Sequence, residues 1–182
     1  MKPAESRYFL AIIPPDPIQS EAQKIKVQFR DDFNSKGALR SPAHITLHMP
    51  FQWKEKKEDK LFSLLVQATN EEKFHLSFDG FGAFPPRTIF IKNKMSQDLM
   101  NFQERLARYA KRNMNLFNAT HNRGYHSHMT VAFRDLKKDK FFEAWAEFED
   151  KPFDHEFEVN SFWLLKHDGK RWNAYREFQF SE

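Results

Sequence analysis

The sequence predicts a duplicated α+β fold, two lobes of strands and helices related by a pseudo-twofold axis about one cleft. Three observations predict it. The stretch Ala43-His44-Ile45-Thr46-Leu47 returns 84 residues later as Ser127-His128-Met129-Thr130-Val131. Each copy reads His-apolar-Thr-apolar, the period-2 pattern of a half-buried strand, with His and Thr on one face and the apolar pair aimed into a core. The same succession (strand, helix, motif strand, helix, strand) surrounds both copies. Their spacing also agrees: Phe9 precedes His44 by 35 residues and Phe90 precedes His128 by 38, while strands near Leu76 and Phe157 follow the motifs by 32 and 29. Chance is a poor source of such a pair. With 8 His, 5 Thr and 40% hydrophobic residues, composition alone supplies roughly 0.03 copies.

The elements follow in order. Residues 8–13 form a short, nearly continuous apolar run stopped by Pro14-Pro15, a buried strand. The polar start, residues 1–7, leads into only this brief run, so the N-terminus reads as a first strand rather than a signal peptide. Asp16 supplies an N-cap and Pro17 a first helical position. Ile18, Ala22, Ile25, Phe29 and Phe33 then recur at helical spacing to about residue 32, and Asn34-Ser35-Lys36-Gly37 ends the helix. The first motif strand covers about 43–49. A polar loop (54–57) opens a second helix, about 58–70, carrying Leu61, Leu64, Leu65 and Ala68. Phe74, Leu76 and Phe78 alternate along a strand to about 81, and residues 82–86 read as the hinge between lobes.

In the second half, residues 88–92 form a short β run. Ser96 caps a helix carrying Leu99, Phe102, Leu106, Tyr109 and Ala110 to about residue 114. A polar loop, 118–127, precedes the second motif strand, about 125–133. Asp139 opens a helix through Phe142, Trp145 and Phe148. Residues 153–159 alternate, and 161–166 pair with 172–180 across His167-Asp168-Gly169-Lys170. No linker interrupts the chain. The expectation is one domain over residues 1–182, built from pseudo-repeats at about 7–82 and 87–163 plus a C-terminal hairpin strand.

Composition bounds the function. A chain of 182 residues with 21 Phe and 4 Trp can bury a substantial core. No apolar run reaches membrane-spanning length, so no membrane partner is expected. The absence of cysteine excludes disulfides, thiolate metal sites and a thiol nucleophile, and the cytoplasm is the expected location. A net charge of +4 suits an anionic substrate but falls short of a dedicated nucleic-acid binder.

At the two motifs the sequence resembles the 2H phosphoesterase superfamily, within it the 2′-5′ RNA ligase or RNA 2′,3′-cyclic phosphodiesterase branch. Tyr8-Phe9-Leu10-Ala11-Ile12-Ile13-Pro14-Pro15 is similar to that family's opening strand. Arg40-Ser41-Pro42-Ala43 and Phe84-Pro85-Pro86-Arg87-Thr88-Ile89-Phe90 are similar to its approaches to the motif and mid-chain strands. Two departures stand out. Many members place an Arg where this chain has Phe133, with Arg134 next along, and many follow the first motif with Lys-Phe-Leu-Gly where this chain has His48-Met49-Pro50-Phe51. The resemblance implies a bilobal fold of two mainly antiparallel sheets flanking a central cleft, helices outside. It also implies an enzyme that opens 2′,3′-cyclic phosphates on RNA 3′ ends or small nucleotides, to a 2′-phosphate, with weak 2′-5′ ligation as a side activity. The rival readings are action on another cyclic phosphate, such as that of ADP-ribose, and a non-catalytic RNA- or nucleotide-binding module.

The chemistry explains the residue types. Opening a cyclic phosphodiester with water needs a base, an acid and donors for the phosphoryl oxygens. Two imidazoles with pKa near 6.5 divide the first two tasks, each worth roughly 10²–10⁴ in rate. Thr46 and Thr130 supply the donors. His44 and His128 are thus the catalytic candidates, and no metal or other cofactor is called for. His48 and His126 share the faces of His44 and His128, so a four-histidine metal site is the sharp alternative. Tyr125, Trp53, Phe51 and Phe133 flank the motifs as candidate stacking rings, with core packing the simpler role for Phe133. Arg40, Arg87, Arg123 and Arg134 are cationic candidates for phosphate. A monomer is expected.

Overall fold

A computed structural model describes residues 4–181; residues 1–3 and 182, the ends of the expected domain, lie outside the described residues. Apolar runs at period 2 and period 3.6 alternate along the chain and produce, among the described residues, eight strands and four helices. In order they are β1 (Glu5–Ile12), α1 (Ile18–Phe33), a 3₁₀ turn (Gly37–Arg40), β2 (Ile45–Lys54), a second 3₁₀ turn (Glu55–Lys57) and α2 (Glu58–Val66). Then come β3 (Phe74–Phe84), β4 (Thr88–Asn93), α3 (Gln97–Met114), β5 (Met129–Ala132), α4 (Lys138–Phe148), β6 (Glu156–Val159), β7 (Ser161–His167) and β8 (Trp172–Gln179).

Two four-stranded antiparallel sheets result, ordered β2-β1-β7-β8 and β5-β4-β3-β6. One strand of each half thus crosses to the other half's sheet, β3 beside β4 and β7 beside β1. Two expectations change. Residues 82–86 are not an interlobe hinge: β3 continues to Phe84, which pairs with Thr88 across a tight turn inside the second sheet. The chain changes sheets earlier, between α2 and β3. Likewise Leu76 and Phe157, matched by spacing, are cross-strand partners of one another, and the strand placed like β3 is β7. The two alternations are alike because they line one core.

Local chemistry sets the ends. Ser96 Oγ accepts the Leu99 N–H at 3.1 Å and caps α3, and Asn115, at φ 57°, closes it in the left-handed region. The N-cap of α1 is Pro17 rather than Asp16, whose carboxylate still accepts the Ser20 N–H at 3.0 Å. α2 stops at Val66 instead of residue 70 because the Thr69 hydroxyl donates to the Val66 carbonyl at 2.7 Å in a turn. β5 is four residues long, shorter than expected, since its ladder with β4 begins only at Met129 and residues 125–128 pair with no strand. One core joins both sheets and all four helices: Tyr8, Leu10, Phe29, Phe78, Phe102, Phe148 and Phe162 are each at most 1% exposed. Among the described residues no helix is long and apolar enough to cross a membrane.

Candidate active site

The motif residues occupy equivalent places in the two sheets. His44 immediately precedes β2, and His128 immediately precedes β5. Along each strand the apolar positions are buried (Ile45 and Leu47, Met129 and Val131), whereas Thr46 and Thr130 remain half-buried on the opposite face. Thr46 lies across from Ala11 of β1, and Thr130 across from Phe90 of β4.

Each imidazole is held in the same way. His44 Nδ1 donates to the Pro42 carbonyl at 2.7 Å, and His128 Nδ1 donates to the His126 carbonyl at 2.7 Å. A carbonyl only accepts, so Nδ1 carries the hydrogen in both rings. Nε2 is left as the atom that can exchange a proton, with no partner among the described residues. Burial pushes His44 down to about 4, and the positive charges of Lys26 and His128 add to the effect. Burial also lowers His128, helped by His126 and His121. β2 and β5, the strands that the two histidines precede, contact one another.

Aromatic rings wall both histidines. The Phe9 ring centroid is 4.9 Å from that of His44, with Trp172 4.8 Å beyond it and the Arg7 guanidinium 5.4 Å over the indole. On the other side Phe90 and Phe84 lie 5.1 and 5.3 Å from His128. Gly82 makes room there: a Cβ at that position would come within 2.5 Å of the Phe90 ring. Phe84 is 41% exposed, so a flat ring beside a catalytic candidate is open to a ligand.

The remaining candidates divide. His126 joins the site, its ring 5.0 Å from Phe84 and 5.7 Å from His128. His48 does not. On β1 the step from Leu10 to Ala11 is matched by two residues on β2, His48 to Thr46, and this bulge turns His48 to the core side. There it is 1% exposed, edge-on to Phe51, so the four histidines are not brought together. Tyr125 bridges the lobes, its hydroxyl donating to the Thr46 carbonyl at 2.9 Å. Trp53 sits at the far end of β2, paired with Ser6, its indole N–H on the Lys57 carbonyl. Phe51 is buried in the core and Phe133 is half-buried beneath Arg134. Arg40 is exposed on the first 3₁₀ turn, and Arg123 is exposed in the 115–128 segment. Arg87 and Arg134 line a groove past the end of β5.

Sequence reading missed Phe84, Trp172 and Lys26 as parts of the site. Lys26 had a signal: the stripe Ile18-Ala22-Lys26-Phe29-Phe33 puts a lysine where α1 needs an apolar residue. It is 1% exposed, donates to the Ser41 carbonyl at 2.9 Å, and is pushed down to about 8 by desolvation. Ser41 is next to Pro42, whose carbonyl holds His44.

Comparison with known proteins bears on this geometry. The sequence matches the family model described as the 2′-5′ RNA ligase superfamily over residues 14–171. No curated protein sequence matches it significantly. Among solved structures, Escherichia coli LigT complexed with 3′-AMP superposes with a TM-score of 0.68 at 20% identity, covering 98% of this chain and 100% of that one. A Thermus thermophilus protein gives 0.68 at 18% identity, with 96% and 97% covered. LigT complexed with NADP+ gives 0.63 at 21%, with 98% and 100% covered. At these identities the likeness is one of fold.

Proposed function

Because this chain belongs to the 2′-5′ RNA ligase superfamily, we propose that it is a phosphodiesterase opening 2′,3′-cyclic phosphates of RNA ends or nucleotides by two-histidine acid–base catalysis, in one domain of two lobes. The observation that carries the reading is the matched pair: two imidazoles, each tied through Nδ1 to the carbonyl two residues before it, each with a half-buried Thr two residues after it. A binding module has no use for two identically poised proton carriers. That LigT has been seen with 3′-AMP, NADP+ and ATP agrees with a nucleotide substrate.

Both rings are depressed, and His44 is held at about 4 by burial and by Lys26. One ring enters the cycle neutral as the base and the other protonated as the acid. The Nε2 of the base takes a proton from water as the oxygen attacks phosphorus. The P–O bond to the ribose 3′ oxygen breaks, and that oxygen receives the proton from the Nε2 of the other ring, leaving a 2′-phosphate. Thr46 and Thr130 hydroxyls donate to the non-bridging oxygens and keep the phosphate in line between the rings. The same sequence, with a 5′-hydroxyl attacking in place of water, forms a 2′-5′ phosphodiester and is the ligation expected as a side activity.

The test is a panel of 2′,3′-cyclic nucleotides, the cyclic phosphate of ADP-ribose among them, assayed with and without EDTA. We expect turnover of the 2′,3′-cyclic nucleotides indifferent to EDTA. His44→Ala and His128→Ala should each lose at least about 100-fold. Smaller losses, or activity abolished by EDTA and restored by zinc, would overturn the assignment.

A further inference from the structure

Each of the three peptide planes that lead into His44 is held by a side chain of α1. Gln19 and Lys26 stand on one face of that helix, two turns and about 10 Å apart along its axis. Lys26 Nζ donates to the Ser41 carbonyl at 2.9 Å and so holds the peptide between Ser41 and Pro42. Gln19 Oε1 accepts the Ala43 N–H at 2.7 Å and holds the peptide between Pro42 and Ala43. Gln19 Nε2 donates to the Ala43 carbonyl at 3.0 Å, holding the peptide between Ala43 and His44, and to the Pro14 carbonyl at 3.1 Å. The orientation of this carboxamide is forced, because both carbonyls need its NH₂ and the Ala43 N–H needs its oxygen.

The middle plane is the one that reaches the catalytic candidate. Its C=O accepts His44 Nδ1 at 2.7 Å, and its N–H is the group that Gln19 holds. A trans peptide is planar, with N–H and C=O pointing opposite ways. A bond that fixes the N–H therefore aims the C=O, and the imidazole tied to that C=O inherits the aim. Seating α1 on the core does not account for these residues. Lys26 occupies an apolar place in the helix stripe, is 1% exposed, and among the described residues has no carboxylate within ion-pair distance. Burying an unpaired ammonium is unfavourable, and a methionine would fill the same space without that cost. We propose that Gln19 and Lys26 are positioning residues, a clamp through which α1 sets the ring of His44 for turnover. This deepens the two-histidine reading and rests on it.

The experiment reads the His44 ring directly. Proton–nitrogen correlation spectra of the histidine side chains show which ring nitrogen carries the hydrogen, with His44→Ala and His128→Ala assigning the signals. They are recorded at slightly alkaline pH, where both rings are neutral. In wild type both should carry the hydrogen on Nδ1. In Gln19→Met the His44 ring should become a mixture of tautomers while the His128 ring stays unchanged. For a 2′,3′-cyclic nucleotide, kcat should fall at least about tenfold with KM moving less than about twofold, since misplacing a reacting group by about 1 Å costs up to about 100-fold. Lys26→Met should move both readings in the same direction. The control is Gln28→Leu: Gln28 lies on the same helix, but its amide donates to Glu147 of α4, so His44 and kcat should stay as they are. A Gln19→Met protein with His44 still on Nδ1 would overturn the proposal, whatever its Tm, and so would an altered His44 with kcat within about twofold of wild type. If Gln19→Met does not fold, Lys26→Met decides by the same readings. If wild type turns over no cyclic nucleotide yet the Gln19 variant scrambles the His44 tautomer, the clamp stands and the catalytic reading falls.

Discussion

His44 and His128, 84 residues apart, make one and the same hydrogen bond: Nδ1 to the carbonyl two residues back, at 2.7 Å in each case. An imidazole so held has its tautomer and ring plane set by backbone, independent of any neighbouring side chain. The reacting nitrogen stays free. The site is thus pre-organised by the two strand starts themselves, and catalysis should be sensitive to whatever fixes those starts.

Removing one hydroxyl without changing shape tests the threonines. Thr46→Val and Thr130→Val should each lower kcat about 100- to 1,000-fold, the range seen for loss of a single oxyanion donor. Thermal unfolding should move little. Unchanged kinetics in both variants would show that the hydroxyls serve the fold.

The pH profile follows from the two depressed rings. For the free enzyme, kcat/KM should rise and then fall through the two macroscopic pKa values of the coupled pair, both rings being depressed below the usual 6.5, placing the optimum on the acid side of neutrality. A bound phosphate favours imidazolium, so the alkaline limb of kcat should lie higher than that of kcat/KM. Lys26→Met removes a positive charge near His44 and should raise the acid limb. A rate climbing to a plateau above pH ~9 would contradict two-histidine catalysis.

Stability carries the same signs. His44 has a lower pKa folded than unfolded, so the unfolded chain binds more protons as pH falls below 6.5, and stability should decline from there toward 4. Lys26, at about 8 against an ordinary 10.5, adds stability as pH rises between those values. Between those values Tm of wild type should climb with pH relative to that of Lys26→Met, so the two scans differ in slope in that alkaline window.

Gly82→Ala would place a methyl carbon 2.5 Å from the Phe90 ring. The ring or the strand must shift, at a cost of about 1–3 kcal/mol. Because Phe90 also touches His128 and lies opposite Thr130, activity should fall along with Tm. An alanine variant with native stability and turnover would show that Phe90 has room to rotate away.

Tyr125→Phe deletes the hydroxyl that donates to the Thr46 carbonyl. The loss should be about 1–2 kcal/mol in stability. If this hydrogen bond aligns the two motif strands, kcat should fall more than KM changes. A change confined to Tm would mark it as purely structural.

The catalytic candidates and the order of the elements were legible before any fold, because both are written in local periodicity. A His-x-Thr at period 2 must show both side chains on one face, and its repetition implies two such faces. Whatever depends on partners distant in the chain was settled by the fold instead. Register is one case: Leu10 pairs with His48 and Ala11 with Thr46, and the extra residue between them turned an expected cleft histidine into a core one. Sheet membership is another, since β3 and β7 each left their own half for the other's sheet. Burial is the third. The α1 stripe marks Lys26 as out of place, but that its ammonium ends fully buried on the Ser41 carbonyl, with its pKa lowered, is the work of the fold. Charge acts through space, and only folding sets the distances and the solvent between the groups.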